Sequence, residues 1–361
     1  MNKLNLNAPI NSLGYGVVGY NIWKSLNSCP DTDITLFPIS NQVSTPCLIN
    51  ENQKLLLQSS IQKQDIFDAT SPTLKIWHEN QLADRIGKGK FIAWPFFEVN
   101  KFDNRRRSHL QSVDEIIVSS KWAKQIVEKY VGSCVHVVPC GVDRHIFNET
   151  TNKPNTSKCI FFNCGKWEIR KGHDVLHKAF KDAFPMNQNV ELWMMTENPF
   201  LNQQEKSYWE SKYKEDRIKL IPRVQWQEEL ANIISSVHCG VFPARSEGWN
   251  LEILEMMSMG KKIITTNYSA HTEFCNQENC NLINIEQEEP IFDGKWFVGD
   301  NGTWASLEGN AYDQLVNAFK SEYNSWKENP FDLNEKGIET SKELSWNNSA
   351  DKVKDIFFGD N

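Results

Sequence analysis

One stretch in the second half of the chain constrains the fold most, because residues 239–266 alternate as strand, loop, helix and strand. Cys239–Phe242 is a short apolar run typical of a buried parallel strand. After a polar loop, Asn250 is placed to cap a helix predicted over Leu251–Met259, with Gly260 just beyond its end. The helix therefore begins at the carboxyl end of a strand, where open α/β sheets bind their ligands.

The amino end of this helix predicts an anion site. The first N–H groups of a helix have no partner within it and favour a negative group, typically a phosphate. The residues expected to line this site are Ser246, Gly248, Trp249, Asn250 and Leu251.

Two carboxylates flank the site. Glu247 precedes the helix, and Glu255 lies on its second turn among apolar side chains. A buried carboxylate needs hydrogen-bond donors, which the hydroxyls of a ribose or a sugar would supply. A second interpretation stays open, in which the acidic residues complement the helix dipole and Glu255 forms a local ion pair.

The spacing of these carboxylates resembles a known signature. Seven residues separate Glu247 from Glu255, within the run Ser-Glu-Gly-Trp-Asn-Leu-x-x-x-Glu. This resembles the E-x7-E motif of retaining GT-B glycosyltransferases, in particular glycosyltransferase family 4, in which Glu-Gly-Phe-Gly-Leu is usual. Trp249 stands in place of Phe, and Asn250 in place of the second Gly. The resemblance implies an α/β fold of two Rossmann-like domains whose parallel sheets face a central cleft.

A basic element, residues 165–172, follows the first strand of the second half. It resembles the family's G-R-x-x-x-x-K-G element, with Gly165 and Lys171 retained and Lys166 replacing Arg. Two cations on such a loop can neutralise a departing diphosphate, although a basic turn without function is the alternative. The neighbours to which the sequence assigns no role are Arg170 and His173.

Three further candidates rest on resemblance. His78 follows a predicted strand and resembles the acceptor-side histidine of family 4 enzymes, which contacts the transferred sugar; a surface or structural histidine is the alternative. Glu98 ends another strand and either faces the cleft or pairs with a nearby cation. Glu273 closes a loop that resembles the family's nucleotide-side loop.

The first half contains Gly-Tyr-Gly-Val-Val-Gly, a literal G-x-G-x-x-G. A dinucleotide site also needs a tight preceding strand and an acid after the second strand, and both are missing here. We therefore interpret Gly14 and Gly16 as a loop that brings backbone close to a sugar or phosphate. A flexible helix start without a ligand is the alternative.

Composition narrows the possible partners. The 361 residues carry a net charge of −7, which disfavours nucleic acid. The nine cysteines form no C-x-x-C pair, so we expect reduced thiols, no metal site and a cytoplasmic location. The basic run Arg105–Arg107 is either a solvated helix face or a contact for an anionic membrane surface or a phosphorylated acceptor.

Alternating strands and helices predict parallel sheets in both halves. We expect a domain over 1–145, a linker over 146–158, a nucleotide-sugar domain over 159–340 and a final helical segment over 341–361 that returns to the first domain. A helix is also predicted over Leu82–Ile86, and a loop over 287–307.

These features favour a hexosyltransferase. It would move a sugar from a nucleotide diphosphate to a hydroxyl of a glycan, lipid-linked or small-molecule acceptor, with retention and without a metal or other cofactor. The resemblance assigns the catalytic roles to Glu247, Lys171, Lys166 and His78. Three alternatives remain: a sugar-nucleotide epimerase, a binding protein without activity, and a dinucleotide oxidoreductase.

Overall fold

The computed structural model describes residues 1–40, 42–132, 134–186 and 189–359. Two compact units account for the chain. Unit 1 comprises Met1–Asp143, Gln225–Glu228 and Glu343–Asn361, and unit 2 comprises Arg144–Val224 and Glu229–Lys342. The domain boundaries expected from the sequence remain predictions of where each part would fold independently.

Unit 1 is built on a six-stranded parallel sheet. Its strands are β1 (Asn2–Ala8), β2 (Thr32–Pro38), β3 (Thr73–Lys75), β4 (Phe91–Ala93), β5 (Glu115–Val118) and β6 (Val135–Val137). They lie in the order β2-β1-β3-β4-β5-β6. Apolar residues of β1 and β4 are completely buried, as expected for strands covered on both faces.

Four helices connect these strands. They are α1 (Gly14–Asn27), α2 (Glu51–Gln62), α3 (Asn104–Leu110) and α4 (Lys121–Val127). Ser120 caps α4, since its hydroxyl accepts from the backbone N–H of Ala123. Asn50 and Gln53 form a capping box at α2.

Unit 2 repeats the same architecture. Its parallel sheet contains β7 (Cys159–Gly165), β8 (Val190–Thr196), β9 (Ile218–Leu220), β10 (Cys239–Phe242), β11 (Lys262–Thr266) and β12 (Asn281–Ile283). The strand order is β12-β11-β10-β7-β8-β9, so β10 and β7 are neighbours at the centre. A separate antiparallel hairpin consists of β13 (Glu288–Pro290) and β14 (Thr303–Ala305).

Seven helices follow β7 along the described chain, and some of them cover an aromatic core. They are α5 (His173–Ala183), α6 (Gln203–Lys212), α7 (Gln227–Ser236), α8 (Leu251–Ser258), α9 (Asn310–Glu328), α10 (Glu335–Glu343) and α11 (Trp346–Phe358). Phe161 of β7 meets Phe319 of α9 edge to face, with ring centroids 4.8 Å apart. Phe180 of α5 and Phe184, the residue just after α5, pack on the same Phe319, so β7 is anchored between α5 and α9.

The last helix, α11, belongs to unit 1 and packs against α1. The Ser349 hydroxyl donates to the Pro139 carbonyl over 2.7 Å, and Ser345 caps the helix. Gly141 permits this crossing, because a Cβ there would lie 2.2 Å from the backbone of Ser345. Only a residue without a side chain lets the two backbone segments pass so closely.

The predicted fold class is confirmed by the two six-stranded parallel sheets, but several local predictions are wrong. Residues 82–86 form no helix: the Leu82 N–H bonds to His109 Nδ1, and the Asp84 carbonyl accepts from Lys75. Five residues are too few to offset helix nucleation when tertiary partners take the backbone groups. The predicted loop 287–307 contains the β13–β14 hairpin, and α3 was not predicted.

Among the described residues, no helix is both long enough and apolar enough to cross a membrane.

Candidate active site

The strand, loop and helix that dominate the sequence form the centre of the site in unit 2. β10 ends at Phe242, the loop 243–250 is buried throughout, and α8 begins at Leu251. Asn250 occupies the N-cap position but has φ 79° and makes no side-chain capping bond, so the prediction that its side chain caps α8 is wrong. Asparagine is one of the few residues with a side chain that adopts this left-handed conformation readily.

Glu247 is held between two cations. Lys171 Nζ donates to its Oε1 over 2.8 Å, and Arg170 Nη1 lies 2.8 Å from its Oε2. Burial opposes ionisation of this carboxyl, but the charges of Arg170 and Lys171 outweigh burial and lower its pKa to about 2. Burial alone would lower the pKa of Lys171, because it disfavours the charged ammonium. The carboxylates of Glu247 and Glu252 outweigh burial and raise this pKa above its ordinary value. Both members of the pair are therefore charged at neutral pH.

Arg170 is a site residue that the sequence did not assign. Its Nη1 donates to the Ser246 carbonyl over 2.8 Å, and its Nη2 donates to Glu168 Oε2 over 2.6 Å. Lys166, in contrast, lies 3.2 Å from Glu168 and is partly exposed. The guanidinium of Arg170 thus links three groups of the two loops, Glu168, Ser246 and Glu247, which a single ammonium such as that of Lys166 does not do here. The sequence signal that could have identified Arg170 is its position next to Lys171 in a basic turn.

His173 holds the basic loop in place. Its Nδ1 accepts from the Glu168 N–H over 3.2 Å, and its Nε2 lies 2.9 Å from Asn163 Oδ1. Burial, with the charge of Lys171, lowers its pKa to about 3. A neutral ring that accepts at Nδ1 must carry its proton at Nε2. His173 is therefore a neutral link between β7 and the loop that carries Arg170 and Lys171.

Gly172 allows the two loops to meet. It has φ 75°, and a Cβ there would lie 2.1 Å from the Pro243 carbonyl oxygen. The Arg245 N–H donates to the Arg170 carbonyl over 2.7 Å beside this contact. The close approach of the loops brings Lys171 and Arg170 to Glu247.

The loop after β11 supports Glu247 from another side. The Ser269 hydroxyl accepts from the Glu247 N–H over 2.9 Å, and the Ala270 N–H donates to the Glu247 carbonyl over 3.2 Å. Ser269 itself has φ 64°, a costly conformation for a residue with a side chain. The predicted Glu273 lies at the end of the following short 3-10 helix, Ala270–Glu273, and is partly exposed.

Several buried polar atoms at the amino end of α8 have no hydrogen-bond partner within the described chain. They are Ser246 Oγ, Trp249 Nε1, and both Oδ1 and Nδ2 of Asn250. Unpaired buried polar groups are costly, and their concentration in one loop indicates a place where a polar ligand completes the bonding. All three residues were predicted to bind the donor.

The remaining predicted residues of unit 2 lie around this centre. Glu255 is buried on α8, one turn beyond Leu251. Glu252 comes within 3.8 Å of Lys171. Gly165 ends β7 with φ 135°, and a Cβ there would lie 3.1 Å from the Lys171 side chain. The two loops and α8 thus bring together the predicted donor residues of this unit.

The predicted residues of unit 1 form a separate group. Gly14 begins α1, and nothing lies within 4 Å of the position its Cβ would occupy, so its face is open. Gly16 instead packs on Asn11, whose Oδ1 would be 2.3 Å from a Cβ. Gly16 is therefore needed for packing, and Gly14 is the glycine that a ligand could approach.

His78 is exposed at the edge of an aromatic cluster. Its ring lies 4.6 Å from that of Tyr15 and 4.8 Å from that of Trp77. The Tyr15 hydroxyl donates to the Phe96 carbonyl and accepts from its N–H, which ties α1 to the loop after β4. Tyr15, inside the glycine motif, was not predicted. Glu98 lies in the same loop and is partly exposed.

The basic run at α3 does not form a solvated face at Arg106. Arg106 Nε donates to the buried Glu79 over 2.7 Å, and its Nη1 donates to Asp103 over 2.8 Å. The Arg107 guanidinium stacks over the Tyr130 ring. The expectation of a solvated face is wrong for these two residues, because neighbouring acidic and aromatic side chains engage them within unit 1.

Within the ranges that the structure describes, no group of three or more His, Cys, Asp and Glu side chains is placed to hold a metal ion. Cys140, Cys159, Cys164, Cys239 and Cys275 are buried free thiols, and burial raises the pKa of each.

Part of the chain matches a known protein family. Residues 158–293, which include every donor-side residue of unit 2 described above, match the family model of the group 1 glycosyl transferases. None of the curated proteins matches the chain.

Solved structures resemble the chain over almost its whole length. The sucrose-phosphate synthase of Thermosynechococcus elongatus has a TM-score of 0.68 at 13% identity and covers 99% of this chain and 98% of its own. A glycosyltransferase from Rickettsia africae has a TM-score of 0.68 at 14% identity, with 99% and 97% covered. HepE of Anabaena, solved with UDP and glucose, has a TM-score of 0.68 at 11% identity and covers 99% of both chains. These likenesses confirm the predicted GT-B fold.

Proposed function

We propose that this GT-B glycosyltransferase, whose residues 158–293 match the group 1 family, transfers a hexosyl group from a nucleotide diphosphate sugar to a hydroxyl. One observation carries the proposal: Glu247 is held by Lys171 and Arg170 at the amino end of α8, beside buried polar atoms that lack partners. The two cations suit the diphosphate of such a donor, and the carboxylate and the neutral polar atoms suit its sugar.

The diphosphate would be bound by positive groups. Lys171 and Arg170 offer N–H donors beside the amino end of α8, where the helix dipole is positive. Lys166 lies on the same loop and adds a third cation. As negative charge develops on the leaving phosphate, groups already held in position stabilise it without reorganisation.

The sugar and the ribose would be bound by carboxylates. Glu247 is ionised at neutral pH, so it can accept hydrogen bonds from sugar hydroxyls but cannot act as a general acid. Glu255, buried on α8, would accept from the ribose. The Asn250 amide and Ser246 hydroxyl would take up the remaining sugar or phosphate oxygens.

We infer that the anomeric configuration of the transferred sugar is retained, from the resemblance of the sequence to retaining GT-B enzymes. In the step we propose, the bond from the anomeric carbon to the phosphate oxygen breaks, and the acceptor oxygen bonds the same face of that carbon. The acceptor proton passes to the leaving phosphate oxygen, so no covalent enzyme intermediate forms. His78 and Glu98 are our candidates for contact with the sugar or the acceptor, and Glu273 is our candidate for contact with the nucleotide.

The acceptor is a glycan, lipid-linked or small-molecule hydroxyl, and the reaction needs no metal. The experiment is a thermal-shift panel of UDP-, GDP- and ADP-sugars, free diphosphates and NAD, without added metal. A ligand that binds only the folded state raises the melting temperature. We expect a shift with one base and its sugars, followed by nucleotide release when an acceptor is present. A shift with NAD alone, or none, would refute the proposal, and release of epimerised sugar without acceptor would indicate an epimerase.

A further inference from the structure

Unit 2 contains a cavity lined by aromatic side chains, which we call the aromatic pocket. Its volume is about 390 Å³, within the range of small-ligand sites. The aromatic side chains that line it are Trp167, Tyr208, Trp209 and Trp296. Trp167 lies in the basic loop, so the pocket is adjacent to the proposed donor site but is lined by different side chains from those around Glu247.

The pocket presents aromatic surface to solvent. Trp167 and Trp209 form a buried parallel stack, with centroids 5.6 Å apart and planes 9° apart. Tyr208 and Trp296 are 58% and 49% exposed, and Phe200 beside Trp296 is 53% exposed. Exposed aromatic groups that cluster at the mouth of a cavity are typical of a ligand site, whereas single exposed apolar residues are not.

The walls of the pocket are held in place without a ligand. Lys295 Nζ donates to Glu205 of α6 over 2.7 Å and to the Phe200 carbonyl over 3.0 Å. Asp293 Oδ1 accepts from the backbone N–H groups of Lys295 and Trp296 over 2.9 and 2.8 Å. The loop that carries Trp296 is therefore tied to α6, and the exposed rings keep a defined separation.

The charges of the pocket restrict the class of ligand. Its charged lining consists of three carboxylates, Glu168, Glu205 and Asp293, and one ammonium, Lys295. Glu168 pairs with Arg170 and Lys166 outside this lining. Lys295 is already bound by Glu205, which disfavours a phosphate or another anion as the ligand, and charged walls disfavour an acyl chain. A neutral saccharide meets both requirements, since its C–H face packs on aromatic rings and its hydroxyls donate to carboxylates.

We propose that the aromatic pocket binds a neutral oligosaccharide. The pocket would hold a segment of sugar chain on unit 2 in addition to the donor. This binding does not depend on the transfer reaction, so the two proposals can fail separately.

The test is isothermal titration of the full chain with maltohexaose, cellohexaose, mannohexaose and chitohexaose, without nucleotide sugar. We expect at least one to bind and the double variant Tyr208→Ala/Trp296→Ala to weaken that binding about tenfold or more, the size of two lost ring contacts. Phe331→Ala, at an aromatic residue that is 62% exposed elsewhere on unit 2, is the matched control and should bind normally.

Two further outcomes decide the proposal. Lys171→Ala, at the proposed donor site, should leave oligosaccharide binding unchanged, and equal losses in this variant would assign the binding to the donor site instead. The proposal is overturned if none of the four oligosaccharides binds, or if the double variant binds as well as the unaltered chain. A circular dichroism melt of each variant shows whether it is folded.

Discussion

Lys171 and Glu247 form a buried ion pair, with Nζ 2.8 Å from Oε1, although 75 residues separate them in the chain. Each comes from a loop at the carboxyl end of one of the two central strands, β7 and β10. Arg170 approaches the other oxygen of Glu247, so the carboxylate has two cationic partners. In the complex proposed above, Lys171 would turn towards the diphosphate while Arg170 keeps Glu247 ionised.

Replacing Lys171 should impair turnover. Lys171→Met removes a cation held in position for the leaving phosphate, and we expect kcat to fall about 10²–10³-fold, as when one preorganised donor is removed. Lys171→Arg should retain part of the activity. Steady-state kinetics with the donor identified by thermal shift measures this. Lys352→Met, at an exposed position of α11, should leave kcat unchanged. Equal kcat in Lys171→Met would contradict the role.

The stability contributed by ionised Glu247 should depend on pH. Its pKa falls from an ordinary value of 4.5 to about 2 on folding, because Arg170 and Lys171 lie beside it. A lowered pKa contributes stability above the unfolded value, and that stability is lost as the pH falls towards the folded value. The melting-temperature difference between the unaltered chain and Glu247→Gln should therefore be largest near neutral pH and shrink between about pH 4.5 and 2. A constant difference would show that Glu247 is not charged.

Glu255 should control donor affinity. If its carboxylate accepts from the ribose, Glu255→Ala loses a charged hydrogen bond and should raise the Kd of the donor about 10–100-fold. Titration calorimetry with the nucleotide diphosphate alone separates this effect from sugar contacts. Glu343→Ala, at an exposed residue, is the control. Unchanged nucleotide affinity in Glu255→Ala would remove this residue from the site.

Gly172 and Gly14 should respond differently to alanine. At Gly172 the new Cβ would collide with the Pro243 carbonyl, and φ is 75°, so Gly172→Ala should lower stability by about 1–3 kcal/mol and reduce activity. At Gly14 the space is open, so Gly14→Ala should keep its melting temperature. Denaturant melts and kinetics of both variants test this. Equal stability of the two variants would contradict the contact between the loops.

Chelation should leave activity unchanged. The cations proposed to neutralise the diphosphate are Lys171, Arg170 and Lys166, so we expect the same kcat with excess EDTA as with added Mg²⁺ or Mn²⁺. The measurement is initial rate after dialysis against chelator. A rate that is lost on dialysis and restored by one divalent ion would show that a metal shares the neutralisation.

Local patterns were sufficient to predict many elements. β10 lies at the predicted residues, and β11 closes the predicted strand, loop, helix and strand of residues 239–266, because buried parallel strands are continuous apolar runs that end at turn residues. The position of Glu247 before a helix and of Glu255 on it also follows from neighbouring residues alone. These features depend on contacts within a few positions of the chain.

Other features depend on residues far apart in sequence. The prediction over 82–86 is wrong because Lys75 and His109 take its backbone groups. Asn250 is a favourable cap by residue type, but its backbone is left-handed and its side chain makes no capping bond. Such local preferences are worth only about 1 kcal/mol, so the rest of the fold can outweigh them.

The sequence by itself determined that the chain forms two parallel α/β sheets, and where the helix with its two carboxylates begins. Only the tertiary structure decided which cations reach Glu247. Arg170 and His173 looked equally unremarkable in a basic turn, yet one binds the carboxylate and the other is a neutral link to β7. The reason is that periodicity specifies a residue's face within one element, whereas ion pairs depend on how separate loops meet.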